Sequence, residues 1–82
     1  MSNMEQRVIK MVSEQLNISE SRVIPDAAFI EDLGADSLDK VELVMNLEQA
    51  FGIRVAEADG EKVSTIQDVY DLIRSHLPRL PA

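Results

Sequence analysis

The chain has 82 residues, 45% of them hydrophobic and 28% charged, with three glycines, three prolines and a net charge of −7. A chain this short fits one domain and buries only about 60% of the surface it would expose unfolded, which leaves no room for a large enclosed active site. The composition suits a folded globule rather than a disordered or fibrous chain. The acidity disfavours nucleic acid and anionic membrane, both of which reward Lys and Arg facing phosphate.

There is no cysteine, so disulfides, thiolate metal sites and a thiol nucleophile are excluded from the chain itself, and any sulfur chemistry must come from something attached. No apolar run approaches the roughly 20 residues of a membrane span. Met1 to Lys10 lacks the basic start and apolar stretch of a secretory signal, so the expected compartment is the cytoplasm.

Met4, Val8, Met11, Val12 and Leu16 recur at three- and four-residue steps. With Ser2 or Asn3 as cap, they predict an amphipathic helix over 3–16. Residues 17–34 have no helical period, contain Pro25 and exceed an ordinary connection, with Ile18, Val23, Phe29 and Leu33 as candidate anchors. From Ser37 to Phe51 a second helix is expected, its apolar side formed by Leu38, Val41, Val44, Met45 and Phe51 and its polar side by Asp39, Glu42 and Glu48. Gly52 supplies its stop.

The polar stretch from Val55 to Val63 holds Gly60 and supports no more than a short helical turn. Ser64 or Thr65 can cap a last helix with the stripe Ile66, Val69, Tyr70, Ile73 and Leu77, ended by Pro78, with 79–82 as a frayed tail. No strand-like alternation and no internal repeat occurs. The expected fold is therefore all-α: a small four-helix bundle of three main helices and one short one, with a long loop between helices one and two.

Charge is uneven along the chain. Glu31, Asp32, Asp36, Asp39, Glu42 and Glu48 face only Lys40 between positions 31 and 48, a net −5 of the −7. Such a cluster steers encounter with a basic partner surface. Taken alone, it is more often a solvated face. Ser37 lies where the loop becomes this acidic helix, beside free backbone amides and the positive end of the dipole, where a phosphate on its hydroxyl would be stabilised. Position alone is equally that of a plain N-cap serine.

The surroundings of Ser37 are more specific. Asp32, Leu33, Gly34, Ala35, Asp36, Ser37, Leu38 and Asp39, followed by Val41, Glu42 and Leu43, with Met45, Leu47, Glu48 and Phe51 beyond, resemble the phosphopantetheine attachment motif of discrete acyl carrier proteins. The resemblance runs from the first helix through Ile73, taking in Glu61, Lys62 and Val63. It implies that a phosphopantetheinyl transferase, the holo-synthase, moves 4'-phosphopantetheine from coenzyme A to Ser37, giving an arm that ends in a thiol. Acyl chains would ride there as thioesters while the protein does no chemistry of its own.

By the same resemblance Asp36 helps the transferase and its magnesium ion engage, and Leu38 docks into a partner pocket. Asp39, Glu42 and Glu48 would face the basic docking surfaces of fatty-acid synthesis enzymes and acyltransferases, the carrier being a monomer. A capping role for Asp36 and a core role for Leu38 are the plain alternatives. The core, with Val44, Met45, Leu47, Phe51, Ile66 and Tyr70, is the part that opens to hold the acyl chain in this family. Gln49, Ala50, Gly52 and Arg54 thin the acidity after Glu48, and Lys40 and Gly60 depart from the commonest pattern.

The pathway expected first is fatty-acid synthesis. Specialised carriers for polyketide, lipid-A-type or other acyl transfer come next, and aminoacyl or peptidyl carriers share the arm and the bundle. An enzyme is disfavoured because the one histidine is His76, near the C-terminus, and the best serine has no evident base. His76 reads instead as a favourable charge at a helix end. A calcium loop fails because setting each glycine sixth puts Leu47, Phe29 or Val55 where an aspartate is required.

Overall fold

The computed structural model describes residues 3–76. Four α-helices follow in order: α1 (Asn3–Leu16), α2 (Ser37–Phe51), α3 (Glu57–Glu61) and α4 (Ile66–His76), with a 3₁₀ turn at Glu20–Arg22 in the long connection. Among the described residues there is no strand, only an isolated antiparallel bridge between Ala28 and Thr65. The proposed cap Ser2, the last stripe residue Leu77, the stop Pro78 and the tail 79–82 lie outside the described residues.

Helix α1 buries Met4, Val8, Ile9 and Val12, and α4 buries Ile66, Val69, Tyr70 and Ile73; the first stripe thus differs from the expected one in gaining Ile9 and in leaving Met11 and Leu16 only partly buried against the core. Burial pushes the Tyr70 phenol above its ordinary pKa, helped by the charge of Glu5 and opposed by Arg74. Arg74 also pairs with Glu5 of α1 at 2.8 Å. Helix α1 ends with Asn17 at φ 57°, and the Ile18 amide donates to the Ser13 carbonyl at 3.1 Å, a left-handed cap that asparagine tolerates.

Polar side chains fasten α2 to α1 at both ends. Gln15 donates to the Asp39 carbonyl at 2.7 Å, and Arg7 donates to the Ala50 carbonyl at 2.9 Å while stacking over the Phe51 ring. Gln15 is near the end of α1 and Asp39 near the start of α2, so the two run antiparallel.

The inward face of α2 differs from the expected one. Leu43 and Leu47 are its buried residues, whereas Leu38, Val41 and Met45 are 63%, 55% and 53% exposed. At 100° per residue these three fall within an arc of about 60°, opposite Leu43 and Leu47. Met45 is therefore not a core residue, Val44 is only half-buried, and Phe51 packs partly buried against the core edge. Leu47, Ile66 and Tyr70 take their expected core places.

The long connection is built as structure. Val23, Phe29 and Leu33 are buried as expected, joined by Ala27 and Ala35, with Ile18 packed at the edge. Its backbone pairs with the start of α4: Phe29 donates to the Ser64 carbonyl at 2.9 Å, and the carbonyls of Ala27 and Pro25 accept from Ile66 and Gln67 at 3.1 and 3.0 Å. Those two amides have no partner within the helix, so the loop does the work of a cap.

Candidate functional site

The turn before α2 is fixed by its own side chains. The Asp32 carboxylate accepts from the Ala28 amide at 2.8 Å, Asp32 and Leu33 donate back to the Ala28 carbonyl, and Gly34 takes φ 73°. An L side chain at Gly34 would be strained by that φ even though the space around it is open. Ala35 then donates to the Phe29 carbonyl at 2.8 Å. The chain is thus delivered to Asp36 on a rigid base.

Asp36, not Ser37, is the N-cap of α2. Its carboxylate accepts from the Asp39 amide at 2.8 Å, and the Asp39 carboxylate accepts from the Asp36 amide at 3.2 Å, a reciprocal capping box. Ser37 is the first helical residue and is exposed. Its hydroxyl makes no hydrogen bond within the described residues, so it is available for modification. The helix dipole favours negative charge at that point.

Ser37 opens on a groove of about 520 Å³ between α2 and α3. Val41 and Val44 line it from α2, and Val55, Ala56 and Gly60 line it from the α3 side. Gly60 helps to keep it open, since a Cβ there would meet both Val44 methyl groups at 3.7 Å. Two polar contacts hold α3 across the groove: Lys40 donates to the Glu61 carbonyl at 3.0 Å, and the Glu48 carboxylate accepts from the Val55 amide at 2.8 Å. Helix α3 itself has five residues and no side-chain cap.

The structure brings Asp36, Ser37 and Leu38 together on one exposed end. The acids divide by role. Glu42 is exposed with no hydrogen bond or ion pair among the described residues, whereas Asp39 closes the capping box and Glu48 fastens Val55. Sequence reasoning missed the exposure of Val41 and Met45 and the groove lining by Val55. The available signal was that apolar residues in 37–51 occupy more than one helical face. His76 closes the described part of α4, its Nδ1 2.9 Å from the Leu72 carbonyl oxygen.

These features are compatible with a carrier whose reactive group is attached rather than built in. The chain belongs to the phosphopantetheine attachment site family, which it matches over residues 6–73. The family carries a 4'-phosphopantetheine prosthetic group, and its carrier domains are not catalytic. A solved structure of a Mycobacterium tuberculosis protein described as a candidate acyl carrier protein is similar at TM-score 0.82 and 26% identity, over 88% of this chain and 96% of that one. The four-helix fold is that of an acyl carrier protein. No helix among the described residues is long and apolar enough to cross a membrane.

Proposed function

We propose that this chain is a single-domain, monomeric acyl carrier of fatty-acid synthesis, bearing its 4'-phosphopantetheine arm on Ser37 and presenting acyl chains to cytoplasmic enzymes. The observation that carries the reading is Ser37 itself. It is an exposed hydroxyl with no hydrogen bond among the described residues, at the first position of a helix, flanked by the capping Asp36 and the exposed Leu38, at the mouth of a largely apolar groove.

The residues present fit the group. Ser37 Oγ would be the attachment atom, the helix end favours the phosphate charge, and the groove offers an apolar wall on which an acyl chain can lie. When bound, the arm supplies a terminal thiol that carries the acyl group as a thioester.

The chain's own part is to bind, orient and release. Asp36 and Leu38 are the contacts offered to the transferase. Glu42, with the remaining carboxylate oxygens of Asp39 and Glu48, forms an acidic face for basic partner enzymes. Exposed acid–base pairs are each worth under about 1 kcal/mol and are weakened by salt, so docking is fast and readily reversed, as a shuttle requires.

The test is intact mass after incubation with coenzyme A, magnesium and a broad-specificity phosphopantetheinyl transferase. The parent is expected to gain one phosphopantetheinyl group and Ser37→Ala none. Because Ser37 is not the cap, Ser37→Ala should change stability by no more than about 0.5 kcal/mol in urea. Loading of a well-folded Ser37→Ala variant would overturn the assignment. Parent loaded instead from acyl-coenzyme A, so that the arm already carries the acyl thioester, then tests the pathway by transferring that acyl group to fatty-acid enzymes but not to polyketide or peptide-forming ones.

A further inference from the structure

Lys40 stands against the charge of its surroundings. Among the described residues it is the single cation lining the groove, where the other charged residues are Glu48, Glu57 and Glu61. On α2 it follows Ser37 by three residues, so the two side chains rise from one face with Cβ atoms about 5–6 Å apart. Both open on the same groove. The Lys40 ammonium spends one N–H on the Glu61 carbonyl at 3.0 Å, and an ammonium has three donors.

A phosphodiester on Ser37 Oγ would bring a further negative charge beside the two carboxylates of the capping box. That box also consumes the amides of Asp36 and Asp39, so the helix end has fewer donors left for the phosphate than a free N-terminus. A cation one turn along offsets both deficits.

We infer that Lys40 is the positioning residue for the root of the arm: its ammonium pairs with the phosphodiester on Ser37 while keeping the Glu61 carbonyl. It thereby ties the arm's root to the C-terminal end of α3. The inference rests on Ser37 as the attachment point. It predicts that loading stiffens the α2–α3 junction beside the groove mouth without any change at the far end near Glu48 and Val55.

The experiment uses the full chain loaded as above, with loading confirmed by intact mass, as parent, Lys40→Met and Lys40→Arg. The phosphodiester phosphorus resonance of Lys40→Met should be displaced from the parent's, and that of Lys40→Arg should return towards it. The displacement should shrink between about 10 mM and 1 M salt, as the Debye length falls from about 30 Å to 3 Å; a displacement caused by repacking alone would persist. In the parent, loading should shift the Lys40 ε-methylene resonance more than those of Lys10 and Lys62.

A loaded parent whose phosphorus resonance coincides with that of Lys40→Met, and whose Lys40 resonance does not move, overturns the inference while leaving the attachment site standing. No gain in mass would instead overturn the attachment reading, and the role of Lys40 with it.

Discussion

Helices α2 and α4 differ in what their apolar residues are for. Helix α4 buries four apolar residues, Ile66, Val69, Tyr70 and Ile73, on one stripe, none more than 3% exposed. Helix α2 is longer, yet it buries only Leu43 and Leu47 and turns Leu38, Val41 and Met45 outward. Exposed large side chains grouped on one helical face are surface a globule has no structural use for. The contrast separates a helix that holds the fold from a helix that leaves an apolar face exposed, the face proposed above to meet other molecules.

The comparison is broken most forcefully in the core. Ile73 and Ile66 are fully buried, and truncation of either to alanine should cost about 2–5 kcal/mol. The equivalent change at Met45 should stay near or below about 0.5 kcal/mol. Urea unfolding of Ile73→Ala and Met45→Ala measures both, and equal losses would mean that α2 is packed like α4.

The two helix starts give a smaller effect with a pH signature. At α4 the Asp68 carboxylate accepts from Ser64 and Thr65 at 2.9 and 3.1 Å, while Thr65 Oγ1 accepts from Asp68 at 3.2 Å. The Ser64 bond is the largest cause holding the Asp68 pKa below its ordinary value, with slight burial working against it and Thr65 and Lys40 adding to it. A depressed folded-state pKa contributes stability above the unfolded value of about 3.9, lost as pH falls through the folded one. Asp68→Asn should therefore lose stability relative to the parent at pH 6, on the scale of a helix cap, about 1 kcal/mol. In urea titrations the gap should close as pH falls below the ordinary carboxylate range. A pH-independent gap would show that the carboxylate charge is not what matters there.

Much of this organisation was legible in the sequence where local signals agree. Helix α2 begins at Ser37 and stops at Phe51 as expected, because acids crowd its start and Gly52 supplies the left-handed residue, φ 64°, that lets Ile53 donate back to Glu48. Helix α3 is short because it contains Gly60 and lacks a capping side chain. The inward face of α2 was not legible. Apolar residues at 38, 41, 43, 44, 45 and 47 occupy most of the helix circumference, so periodicity alone cannot choose between faces.

The cap of α2 was ambiguous for a similar reason: Asp36 and Ser37 both cap well. Only the reciprocal bond from Asp39 decides between them. The pairing of Ala27 and Pro25 with the start of α4 joins residues about forty positions apart, and no local pattern encodes it.

The smallest expected stability effect sharpens the comparison most. Leu38 is 63% exposed, so Leu38→Ala should leave the urea midpoint within about 0.5 kcal/mol of the parent. If α2 is the meeting helix, the same change removes an apolar side chain that a partner pocket would bury, worth about 1.5–3 kcal/mol on full burial. Loading by the transferase, read as kcat/KM, should then fall by roughly 10- to 100-fold, each 1.4 kcal/mol being tenfold. Leu47→Ala inverts the pattern: its side chain is 1% exposed, so stability falls and the residual folded protein loads at close to the parent rate. A Leu38→Ala variant that loses stability without losing loading efficiency would place Leu38 in the scaffold and remove the distinction between the two helices.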